Sequence, residues 1–177
     1  MNIWHDLEPE LVKPESFTAV IEIEKGGSMK YELDKATGML RLDRVLYTAT
    51  HYPANYGFIP LTYGDDGDPL DVLVLCSKPI VPLCLVQCRP IGVVEMWDSG
   101  AGDEKIIALP LGDPTYSEVN SIYDLPGHIF QETEHFFTVY KQLEGRETSV
   151  TPVQDRQAAL DIIQRAIAHY HECFGGK

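Results

Sequence analysis

Basic residues are scarce in this chain: Lys and Arg number 14 against 27 Asp and Glu, a formal charge of −13 at neutral pH. That deficit argues against a broad polyanion-binding surface, although a small cationic pocket can still sit inside an acidic protein. Cysteine is also sparse, and Cys76, Cys84, Cys88 and Cys173 form no CxxC pair. Cys76 and Cys84 lie in apolar segments, where a thiol behaves as a small hydrophobe. Cys84-x3-Cys88 has strand-like flanks and no second ligand pair follows, which argues against zinc. No apolar run approaches the ~18 residues of a membrane span. Residues 1–6 carry neither the basic nor the apolar region of a secretory signal. The expected compartment is therefore the cytoplasm, with neither membrane nor nucleic acid as partner. The phosphate cradles GxxxxGKS/T and GxGxxG are missing, and so is the GxSxG nucleophile elbow.

What is present fits one domain spanning residues 1–177, long enough to bury roughly 70% of its unfolded surface. Residues 1–15 read as an irregular arm with Pro9, Pro14 and several acids. Residues 16–24 alternate as a strand, and Gly26-Gly27 turns the chain into a second one. There Met29, Tyr31 and Leu33 oppose Lys30, Glu32 and Asp34, giving a ribbon with one apolar and one charged face. In the next strand Arg44 shares parity with Leu40 and Leu42, so it either ends the strand or joins Lys30 in a cationic clamp. Residues 47–60, with their prolines, glycine and tyrosines, read as an ordered packed loop in which Tyr52 and Tyr56 belong to the core.

Residues 65–71 read Asp-Asp-Gly-Asp-Pro-Leu-Asp and run directly into Val72-Leu73-Val74-Leu75. Carboxylates this close raise one another's pKa, and the apolar run is of the kind found in a sheet core. A divalent cation with oxygen ligands would supply the missing positive charge. An exposed acidic turn shaped by Gly67 and Pro69 is the plain alternative. An EF-hand fails, because counting from Asp66 places Asp71 where the loop needs glycine. A glycosidase carboxylate pair leaves Lys30 and Arg44 unexplained.

A long strand follows with a bend at Pro90-Ile91-Gly92. Residues 98–105 then read as a second acidic loop before a short strand at 106–109. From Pro126 the period becomes helical, with Ile129, Thr133, Phe136, Tyr140 and Leu143 on one stripe. A last helix opens near Thr151-Pro152 or Asp155. Two carboxylate loops, a charged ribbon and scattered Lys, Arg and Tyr suit phosphoryl transfer assisted by metal ions. On the residues alone, an OB-type binding module and another metal-dependent phosphohydrolase stay open.

The run Asp66-Gly67-Asp68-Pro69-Leu70-Asp71-Val72 resembles the signature of the soluble family I inorganic pyrophosphatases. The similarity covers about residues 16–145, in order: Glu22, Lys30-Tyr31-Glu32, Asp43-Arg44, residues 52–57, the Asp motif, residues 89–92, Asp98 through Lys105, His135-Phe136-Phe137 and Tyr140-Lys141. The resemblance implies a mainly β fold with flanking helices (α+β), a five-stranded OB-like barrel with two C-terminal helices. It implies Mg²⁺-dependent hydrolysis of pyrophosphate, with Mn²⁺ or another divalent ion as substitute, in a homohexamer. Asp66, Asp71, Asp98 and Asp103 would then be metal ligands, with Glu22 and Glu32 in the metal and water network. Asp68 would be the general base. Lys30, Arg44, Tyr56, Lys105, Tyr140 and Lys141 would hold phosphate or support the charge network. Ser99, where relatives often carry another acid, and the absence of tryptophan in residues 145–151 depart from the family pattern.

Overall fold

A computed structural model gives the fold and describes residues 2–175. In chain order its strands are β1 (Val12–Lys13), β2 (Ser16–Ile23), β3 (Met29–Leu33), β4 (Leu40–Val45), β5 (Asn55–Ile59), β6 (Leu70–Val74), β7 (Leu85–Asp98), β8 (Ala101–Pro110) and β9 (Thr148–Val150). Helix α1 (Gly127–Val139) precedes β9, and α2 (Arg156–Phe174) follows it. Strands β2, β5, β6, β8 and β7 close into a ring, because β7 pairs back onto β2. Within the ring only β6 and β8 run parallel. This is the five-stranded OB-like barrel expected, with two C-terminal helices.

The barrel wall is apolar on both faces, which is why the run at Val72–Leu75 does not alternate with polar residues. Val72 and Val74 pack with Ile106, Ala108 and the α2 side chains Ala159, Ile162 and Ile163. Leu73 and Leu75 turn the other way, toward Ile107, Leu109 and the α1 side chains Phe136 and Phe137. The period of two carries Asp71 and Lys105 onto this second face, and the two residues are direct neighbours across the parallel pair.

Several expectations need correction. The turn at Gly26-Gly27 does not fold β3 onto β2. Instead β3 pairs with β4 as a separate two-stranded hairpin, while β2 takes β1, β5 and β7 as neighbours. Residues 55–59 are not loop but a fully buried barrel strand. Gly57 permits this, because a Cβ there would collide with the carbonyl of Val20 on β2. The second acidic segment is not a loop either. Asp98 and Ala101 pair across a two-residue turn, Ser99-Gly100, with φ of 53° and 86°, the backbone a type I′ hairpin requires. Asp98 and Asp103 therefore stand on strands. Leu143 leaves the helical stripe for a 3-10 turn and is exposed. The N-terminal arm is irregular but docked, since Trp4 is buried and its Nε1 donates to Thr62 O at 3.0 Å. The bend in β7 does occur, as a register shift between Pro90 and Gly92. All four cysteines are free thiols, and Cys88 is fully buried.

Candidate active site

A cavity of about 570 Å³ opens between the barrel and the β3–β4 hairpin. At its floor lies Lys105, only 1% exposed. Its Nζ donates to Asp71 Oδ2 at 2.7 Å, to both Asp103 oxygens at 3.1 Å and to the Tyr56 hydroxyl at 3.0 Å. The Tyr56 hydroxyl in turn donates to Asp71 Oδ2 at 2.6 Å. Burial alone would pull Lys105 down, but Asp103 and Asp71 outweigh it and hold the ammonium well above its ordinary value. Burial, with Asp71 and Asp103 adding to it, keeps the Tyr56 phenol neutral by pushing it well up. Tyr140 is raised for the same first reason, burial.

The surrounding acids lack compensation. Burial and then the charge of Asp71 push Glu22 up to about 8, even though it accepts Leu33 N at 2.7 Å. Burial, Asp71 and Asp103 bring Asp66 to about 6 against the pull of a hydrogen bond from Asp68 N. Asp103 is raised as well, chiefly by burial, with Lys105 opposing. Asp71 and Asp103 thus share one fully buried ammonium, and Glu22 and Asp66 line the same cavity without pairing to it.

Asp98, on the same face of the β7–β8 pair as Asp103, has the reverse balance. Asp98 accepts from Lys141 Nζ at 2.5 Å and, through both its oxygens, from Arg146 Nη2 at 3.0 and 2.9 Å. Ser99 Oγ donates to it at 3.1 Å. Burial would raise Asp98, but the bond and charge of Lys141, helped by Ser99 and Arg146, hold it below the usual carboxylate range. Lys141 itself is buried, not a solvated flank, and burial lowers it against the attraction of Asp98.

The hairpin contributes Lys30, which pairs with Glu32 and lies 3.3 Å from Asp43. Of the residues singled out from the sequence, the structure brings Glu22, Lys30, Glu32, Tyr56, Asp66, Asp68, Asp71, Asp98, Asp103, Lys105, Tyr140 and Lys141 to this one cavity. Arg44 is set apart: it does not line the cavity but pairs with Asp43 and, through Nε at 2.8 Å, with Glu144. Sequence reasoning missed Lys35 and Arg41, which do line it. Only their place in a charged hairpin turn and strand could have signalled them.

The donor set suits a hard divalent cation, since every free ligand is a carboxylate oxygen and negative charge is in excess. Among the described residues no three His, Cys, Asp or Glu side chains already converge as a metal cage. The ammonium of Lys105 stands between Asp71 and Asp103. Among those residues, too, no helix is long and apolar enough to cross a membrane.

Comparison with known proteins agrees with the geometry. A family model described as inorganic pyrophosphatase matches residues 19–171. Soluble inorganic pyrophosphatase 2 of Chlamydomonas reinhardtii is 44% identical over 169 residues, covering 96% of this chain and 88% of that protein. Soluble inorganic pyrophosphatase 1 of Arabidopsis thaliana is 43% identical over 169 residues, 96% of this chain and 80% of that protein. The crystal structure of inorganic pyrophosphatase from Thermus thermophilus superposes with a TM-score of 0.90 at 40% identity, over 96% of this chain and 99% of that one.

Proposed function

We propose, from the premise that this chain belongs to the inorganic pyrophosphatase family, that it hydrolyses inorganic pyrophosphate to two orthophosphates with Mg²⁺ as its natural ion and Mn²⁺ as a substitute. The observation that carries the reading is the gathering of Glu22, Asp66, Asp71, Asp98 and Asp103 with Lys30, Lys105 and Lys141 in one cavity. When bound, divalent ions neutralise phosphate oxygens and lower the pKa of a coordinated water.

The chain's own residues do the rest. Asp66, Asp71 and Asp103 would hold divalent ions, with Asp98 beside Asp103 joining them and Glu22 and Glu32 in the surrounding network. Asp68, at the cavity edge with its side chain 53% exposed, takes a proton from the attacking water. The water oxygen bonds to one phosphorus, and the bridging oxygen leaves on the other phosphate with the electron pair of the broken bond. Lys30, Lys141 and Tyr140 hold the phosphates in line, so that donors sit where charge develops. Lys105 and Tyr56 fix Asp71 and Asp103 in place, and Arg44 braces the hairpin against Glu144. We assign residues 1–177 to a single catalytic unit working in the cytoplasm. Self-association as a homohexamer belongs to the same reading, and Val81, Leu83 and Leu85 offer exposed apolar surface for it.

The test is phosphate release from pyrophosphate, ATP and p-nitrophenyl phosphate, with and without chelator. Release from pyrophosphate that exceeds the other two and is abolished by chelator is expected. Release that favours ATP or p-nitrophenyl phosphate, or that persists in chelator, would overturn the reading.

A further inference from the structure

The β3–β4 hairpin is not part of the barrel sheet, yet it forms one side of the cavity. Its turn is held in shape by Asp34, whose Oδ1 accepts from Ala36 N and Thr37 N at 3.0 Å and whose Oδ2 pairs with Arg41. Lys35 leaves this turn and meets two other segments. Its Nζ pairs with Asp68 and donates to Gly67 O at 3.1 Å, on the loop before β6. The same ammonium lies 5.6 Å from the centre of the Trp4 ring, and the Lys35 carbonyl accepts from Asn2 Nδ2 at 2.8 Å.

The backbone of the Asp68 loop is fixed without Lys35. Gly64 N donates to Asp68 O at 2.8 Å, Gly67 N donates to Gly64 O at 3.2 Å, and Asp68 N donates to Asp66 Oδ1 at 3.1 Å. The Asp68 side chain is different. Among the described residues no hydrogen bond or ion pair other than that with Lys35 reaches its carboxylate.

We propose that Lys35 is a positioning residue: by bridging the hairpin turn to the Asp68 loop, it aims the Asp68 carboxylate into the cavity. The inference rests on the reading of Asp68 as general base. Both partners are about half exposed, at 49% and 53% of their side chains, so the pair adds little to stability. Its effect is on orientation, where a small misplacement of a catalytic group lowers rate without weakening binding.

The test uses Lys35→Met, which keeps an unbranched stem beside Trp4 but removes the charge, and Lys35→Arg, which restores it. Both are made in the full chain, alone and combined with Asp68→Asn. Turnover and KM for pyrophosphate are measured with saturating Mg²⁺, and Mg²⁺ affinity is measured by calorimetry without substrate. Lys35→Met should lower kcat about tenfold with KM and Mg²⁺ affinity within about twofold, and Lys35→Arg should recover most of the loss. In the Asp68→Asn background the same change should cost nothing further, because the two residues act as one unit. Unchanged kcat in Lys35→Met overturns the proposal. So does a raised KM with kcat intact, which would make Lys35 a phosphate anchor, or a full tenfold loss persisting beside Asp68→Asn. Near-normal turnover of Asp68→Asn alone would instead strike the base assignment itself, and the proposal with it.

Discussion

At the buried ammonium of Lys105 two carboxylates, Asp71 and Asp103, share one cation, with Glu22 and Asp66 lining the same cavity, whereas the single carboxylate of Asp98 is shared by two cations, Lys141 and Arg146. The acids are chemically alike and their surroundings are opposite. Burial and mutual repulsion lift Glu22 to about 8 and Asp66 to about 6. Burial acts on Asp98 too, but Lys141 and Arg146 win and hold it low. The difference gives each group its work: the acids around Asp71 are short of positive charge and suit divalent ions, while Asp98 has cations to spare for phosphate oxygens.

Breaking the floor should have the largest effect. Lys105→Met leaves Asp71 and Asp103 without their buried partner, and losing one member of such a pair typically costs about 3–5 kcal/mol. Urea unfolding of the metal-free variant should show a loss of that size, partly recovered by added Mg²⁺, with turnover reduced even where the protein is folded. Wild-type stability without metal would mean that the floor acids are not held by Lys105.

The cations on Asp98 should respond more mildly and through binding. Lys141→Met removes a buried cation and should raise KM for pyrophosphate about tenfold with kcat largely kept. Arg146 is 46% exposed and screened, so Arg146→Ala should raise KM only about twofold. Steady-state kinetics on the two variants checks the gradient, and a larger effect at Arg146 than at Lys141 would invert it.

The same contrast separates what the sequence revealed from what it hid. The Asp65–Asp71 run was legible because four acids against Val72–Leu75 conflict electrostatically within a short window. The barrel's closure was not, since β7 meets β2 across some seventy residues of chain and no local pattern records that pairing. Residues 55–59 looked like loop because Gly57 and the flanking proline carry turn chemistry. In the fold that glycine serves close strand contact with Val20. Asp98 and Asp103 looked like loop residues because Gly100 and Gly102 between them carry turn chemistry, whereas the fold pairs them into β7 and β8. Arg44 shares strand parity with leucines, which did not reveal that Glu144 would claim its guanidinium. Lys35 gave no signal beyond its place in a charged turn, where a lysine is the commonest of surface residues.

The central claim is that the floor acids hold a divalent cation, and the proton count of metal binding tests it directly. At pH 7 a group with a pKa of about 8 carries about 0.9 proton and one at about 6 carries about 0.1, so the metal-free floor holds roughly one proton between Glu22 and Asp66. Because ligating carboxylates must be ionised, calorimetric titration of metal-free protein with Mg²⁺ in buffers of different ionisation enthalpy should show about one proton released per chain at pH 7. The release should fade above about pH 9, where both groups are already ionised. Saturable Mg²⁺ binding at pH 7 with no proton released would contradict the account.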